Sequence, residues 1–267
     1  MNALRLYARY VGVSVRSQMQ YPGAFIATSV GAFAATVADL IALWALFARF
    51  RQIEGWRFPE VVLFYGVVSV AFAIADGLTR GFDIFGPQFV RTGDFDRLLV
   101  RPRSTVLQLL GYEFRATRIG RLAQGMVAWG VGMSLANVDW TWSTWPTLLF
   151  AVAGGVALFS GILVLQATLA FWTVESLEIA NTLTYGGVEA AQYPLDIYTR
   201  WFRNFLTFVV PLGCVVYFPV AAVLGRADRT GVPEWVLPLT PVFGFVFLAV
   251  ALRVWRFGVR RYTSTGT

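Results

Sequence analysis

The sequence predicts an all-α fold, a polytopic membrane protein with six transmembrane helices in a single domain over residues 1–267. Three observations carry this reading. Apolar residues fill 57% of the 267 positions, and the mean hydropathy is +0.61. Charged residues reach only 14%, against roughly 25% in soluble domains. Uncharged runs long enough to cross a bilayer alternate with short polar segments in which every basic residue is arginine.

Taken in order, residues 1–16 set Arg5, Arg9 and Arg16 near one helical face, with Leu4, Leu6 and Tyr7 among the rest. That pattern predicts an interfacial helix lying on the membrane. A cleaved signal peptide fits less well, because the next apolar run is too long and ends in no A-x-A pattern. The first span is expected at 23–48, interrupted by Asp39, and a hairpin follows over Arg49–Pro59. Spans are then expected at 60–79, 121–137 and 147–172. Trp140, Trp142 and Trp145 mark an interfacial belt before the fourth. The fifth is expected over Asn204–Gly225, kinked or broken by Pro211 and Pro219. The sixth is expected at 235–252, with Arg253, Arg256, Arg260 and Arg261 beyond it.

Arginine placement orients the chain. With both termini on one side, the N-terminus, the 80–121 loop, the 173–203 region and the C-terminus hold 17 arginines, and the two opposite hairpins hold 5. Arginine marks the cytoplasmic side, so both termini are expected there. A net charge of +7 also suits nucleic acid. Arginines interleaved with apolar runs point instead to anionic headgroups, so the expected partner is membrane lipid and not nucleic acid.

Absences narrow the chemistry. The chain has no lysine, hence no phosphate-binding lysine of the Walker A type, and no histidine, hence no HExxH zinc site or Ser-His-Asp relay. No metal site and no catalytic residue is expected, and any ATP must be bound by another chain. The single Cys214 lies in an apolar run and reads as a packing residue.

The 42-residue segment Arg80–Arg121 holds 8 of the 22 arginines, centred on Gly93-Asp94-Phe95-Asp96-Arg97-Leu98-Leu99-Val100-Arg101-Pro102. Asp94 reads as a helix N-cap. Phe95, Leu98 and Leu99 then share one face at i, i+3, i+4, and Pro102 disfavours helix at Arg101. Ser104 is placed to cap a second helix. The expected product is a short helix across the membrane face that offers its apolar side to a partner, with Arg97 and Arg101 adding charge-assisted contacts. Asp94 and Asp96 also form a D-x-D, the spacing with which glycosyltransferases hold a metal. By itself that is a cap plus a solvated charge.

Other acids are candidates for the path. Asp39, mid-run in the first span, is a substrate or ion contact, or else a structural pair with an arginine or with polar groups of a partner subunit. Asp76 and Arg80 read as a local i, i+4 pair at a membrane edge. Glu175 and Glu178, just past the fourth span, read as a second cytoplasmic contact to a partner, with proton coupling as the alternative.

These residues carry a family resemblance. The Gly93–Pro102 stretch, Tyr185-Gly186-Gly187 with Tyr193-Pro194-Leu195, Trp201-Phe202-Arg203 and Tyr217-Phe218-Pro219 resemble a permease subunit of an ABC-2 type transporter, in the bacterial six-span branch without a fused ATPase. The resemblance implies an exporter in the bacterial inner membrane that pairs with a second permease subunit, identical or different. It implies a coupling helix between spans two and three, docked on a separate ATP-binding subunit that holds ATP and Mg²⁺. Related exporters often carry a re-entrant helical hairpin before the last span. The linker here is short, so that element is missing or built from the end of the fifth span, around Pro219. An ion-coupled secondary transporter and a membrane-embedded enzyme subunit are the alternatives.

Overall fold

The computed structural model describes residues 22–112, 118–136, 138, 140–173 and 177–263, with the isolated positions 12, 16 and 20. The interfacial helix expected over residues 1–16 thus falls almost wholly outside the described residues. Helix α1 (Pro22–Phe50) leads into a small hairpin, β1 (Gln52–Ile53) and β2 (Trp56–Arg57), paired antiparallel with Ile53 opposite Trp56. Helix α2 (Phe58–Asp83) follows, then a π-helical turn (Gly86–Val90), α3 (Asp94–Leu99), α4 (Thr105–Leu110), α5 (Arg118–Leu135), α6 (Thr144–Leu169) and α7 (Leu177–Ala191). Short helix α8 (Arg200–Asn204), π-helical stretches and α9 (Phe218–Val223) precede the last helix, α10 (Val242–Arg261).

Helix α2 is the axis of the bundle. Its residues are almost all buried, including Val62, Leu63, Phe64, Val67 and Val68, because it is apolar all round and touches neighbours on every side. Helix α5 lies antiparallel to it. Gly132 sits against Leu63 and Gly125 against Val70, small residues that let the two backbones approach. Helix α10 packs on α6, with Gly244 against Gly154.

Three helical stretches among the described residues are long and apolar enough to cross a membrane: Phe58–Val90, Thr144–Leu169 and Leu237–Arg261. Arg200–Val209 and Gly213–Val223 qualify only as a pair, and they are bent by 83°. The break expected in the fifth span at Pro211 is therefore present. The bent pair also starts and ends in one place. Asp196 before it and Arg229 after it form an ion pair at 3.3 Å, and the Trp56 indole N–H donates to Asp196 at 2.8 Å. Residues 196–229 leave the β1–β2 end of the bundle and return to it.

Residues 171 and 196 sit at opposite ends of α2. Phe171 packs with Phe85 at the far end of α2, whereas Asp196 meets Trp56 at its near end, roughly 39 Å away along 26 helical residues. Helix α7 carries the chain between those ends. The uncharged run at 204–225 looked more like a span than the polar, glycine-bearing 177–191 because hydropathy counts charges and does not see where the ends meet. The sixth span starts near the expected position but runs further. A 3₁₀ turn over Leu237–Leu239 leads into the helix, which starts at Val242 and includes Arg253, Arg256 and Arg260 in its last turns.

Candidate functional site

Two regions stand out, a polar pocket midway along the bundle and the basic loop at one end. The pocket encloses about 150 Å³, lined in part by Asp39 of α1, Tyr65 and Ser69 of α2, Arg121 of α5, and Tyr185 and Glu189 of α7. Asp39 and Glu189 are exposed, while Tyr65 and Ser69 are buried. The Gln124 amide donates to the Tyr65 hydroxyl at 2.9 Å. Arg121 lies 3.8 Å from the buried Asp76 and 5.9 Å from the Phe72 ring centroid.

Asp76 is therefore tied to Arg121 on another helix, not to Arg80 as its i, i+4 spacing predicts. The cause is a kink. Thr79 leaves helical geometry (φ −111°, ψ 19°) between the two, and Arg80 pairs instead with Asp83. A pocket with a paired arginine, two exposed acids and aromatic walls suits contact with a polar or amphipathic solute. Asp39→Asn is expected to leave assembly and transport near wild type, because the amide has the same shape and stays polar while the Arg121–Asp76 pair is untouched. An assembled variant dead in a transport assay would show that Asp39 carries a proton or ion.

In the loop, Gly93 turns the chain with φ 74°, a left-handed conformation that favours glycine. Gly93 thereby occupies the N-cap position expected for Asp94, which becomes the first residue of α3. Its carboxylate pairs with Arg97 at 3.0 Å and accepts from the Thr92 hydroxyl at 3.2 Å. The Gln108 amide donates to the carbonyls of Leu98 (3.0 Å) and Arg103 (3.2 Å), clamping α3 to α4. Helix α4 in turn presses on α2, where a Cβ at Gly81 would collide with the Leu109 carbonyl.

The apolar face of α3 points inward, against expectation. Phe95 and Leu98 are buried. Phe95 sits among Phe85 (5.0 Å between centroids), Tyr262 (5.0 Å), Phe171 (5.6 Å) and Trp255 (6.2 Å). The reason is supply: the bundle's own end offers aromatic surface within reach, and burying each such side chain is worth about 1.5–3 kcal/mol. Burial pushes the Tyr262 phenol above its ordinary pKa, and the nearby Asp96 carboxylate adds to the shift. The outward side carries Arg97, Leu99, Val100, Arg101 and Arg103, with Val100 84% exposed. Glu175 lies outside the described residues, and Glu178 falls in the first turn of α7.

A third cluster had no signal in the sequence. Trp56 is fully buried at the β1–β2 end, with the Arg226 and Arg229 guanidinium groups 5.6 and 5.3 Å from its ring. Arg226 also pairs with buried Glu60 at 2.8 Å. These residues lie far apart in the chain, and nothing in their local spacing foretells the meeting.

An apolar helical bundle with a polar pocket at mid-height and a basic loop locked across one end is a membrane transport component. Residues 33–266 match the family described as ABC-2 family transporter protein, and the chain belongs to that family. No curated protein and no solved structure matches it.

Proposed function

We propose that the chain is the permease subunit of an exporter, forming the translocation path with a second permease chain and driven by ATP hydrolysis in a separate subunit that binds ATP and Mg²⁺. The observation that carries this is the docked loop. Phe95 and Leu98 fasten α3 to the ends of α2, α6 and α10, while Leu99, Val100 and the arginines face outward. An element fixed to three long helices and open on its other side is suited to pass on the motion of an ATPase.

In this reading the bundle spans a bacterial inner membrane six times, through α1, α2, α5, α6, α7 and α10. The loop and both termini are cytoplasmic, and residues 196–229 form a re-entrant segment on the outer side. Moving Arg200 and Arg203 outside changes the arginine balance from 17 against 5 to 15 against 7, which still favours this orientation.

Val100→Asp and Leu99→Asp are expected to weaken co-purification of the ATPase and to stop transport, with membrane insertion intact. Neither side chain is buried in the bundle, so loss of folding does not explain such a result. Wild-type co-purification and stimulated ATP turnover in both variants would remove this loop as the docking surface.

A further inference from the structure

An apolar groove of about 470 Å³ runs between α2, α4, α6 and α10, lined by residues that include Leu78, Phe82, Leu107, Val156 and Leu248. Val106 and Leu252 also belong to a second recess of about 380 Å³, whose other walls include Ser104, Thr105, Arg256 and Arg260. The two adjoin at Val106 and Leu252, the first apolar and the second carrying two arginines.

Helix α10 shows the transition on a single face. Phe245, Leu248, Leu252, Arg256 and Arg260 follow at steps of three and four, so they form one stripe that changes from apolar to cationic at the recess. The apolar part, from Phe245 to Leu252, extends roughly 10 Å. Arg256 and Arg260 are exposed, and no carboxylate among the described residues lines the recess. Across from them, Thr105 is fixed by the Trp255 indole N–H at 3.2 Å, which holds α4 as the opposite wall.

We propose that groove and recess together bind one anionic phospholipid, its phosphate held by Arg256 and Arg260 and one acyl chain lying in the groove. Charge complementarity selects the occupant. Apolar depth alone accepts any acyl chain, but two arginines one turn apart with no facing carboxylate favour a net negative headgroup, and basic recesses between membrane helices are a recurring mode of anionic lipid recognition. The lipid would bridge α4 of the basic loop to three long helices. The inference requires membrane embedding but not the pairing with an ATPase, so the two readings fail separately.

The test uses the full chain, purified in mild detergent and stripped of lipid, then titrated with phosphatidylglycerol or phosphatidylcholine and observed by native mass spectrometry. One phosphatidylglycerol per chain is expected to be retained in preference to phosphatidylcholine. Arg256→Gln with Arg260→Gln should lower that retention roughly tenfold, the scale of a lost charge-assisted contact. The charge-matched pair Arg49→Gln with Arg91→Gln, both exposed and on other segments, should leave it unchanged. Phosphatidylglycerol with a photoactivatable acyl chain is expected to label peptides containing Leu107, Val156 or Leu248. Equal retention of the two lipids, equal loss in both double variants, or labelling confined to other helices would each overturn the assignment.

Discussion

Phe95→Ala is expected to cost about 3–5 kcal/mol of the energy that fastens α3 to the bundle, the range for emptying a buried aromatic site. Phe95 has no exposed surface and touches four aromatic rings on three separate segments. The loop, not the whole bundle, should absorb the loss. Hydrogen exchange over residues 94–110 should accelerate strongly while α2 and α6 stay protected. ATP turnover by the assembled complex should become uncoupled from transport even where the ATPase still binds. This outcome differs from that of Val100→Asp, where binding itself fails. Unchanged exchange in the loop of Phe95→Ala would show that α3 is held by something other than this cluster.

The second large effect belongs to the opposite end. Glu60 is 2% exposed and Arg226 28%, so removing Arg226 leaves the buried carboxylate with only the more distant Arg57 guanidinium, 3.9 Å away, and removing Glu60 leaves a partly exposed guanidinium. A fully buried pair broken in this way costs about 3–5 kcal/mol, which is the upper bound for either change. Glu60→Ala loses more than the ion pair, because the same carboxylate also accepts the Arg57 backbone N–H at 2.7 Å. Both Glu60→Ala and Arg226→Ala should lower the thermal midpoint in detergent, and combining them should cost much less than the sum of the two. Additive losses in that double-mutant cycle would mean the two groups act independently.

Composition and charge pattern made much of this molecule legible before its structure. The all-helical class, four helix positions to within a few residues and the short helix at 94–99 follow from hydropathy runs, breakers and local spacing. What stayed hidden was of one kind, namely contact between residues remote in sequence. Phe95 and Leu98 were correctly placed on one face, but which surface that face meets depends on Phe171, Trp255 and Tyr262. Asp76 has two arginines within reach of reasoning, and only the kink at Thr79 decides between them. The meeting of Trp56, Asp196 and Arg229 is equally invisible locally, and it separates a crossing helix from a returning one.

That last contact has a consequence for parity. A segment that departs from and comes back to one point adds no inversion to the chain that follows it. Lengthening residues 196–229 at the Pro211 bend, or shortening them there, should therefore keep Arg253, Arg256, Arg260 and Arg261 on their present side. A change of one crossing anywhere else would turn α10 upside down. The clasp at Trp56 thus insulates the direction of the last helix from whatever length the excursion takes.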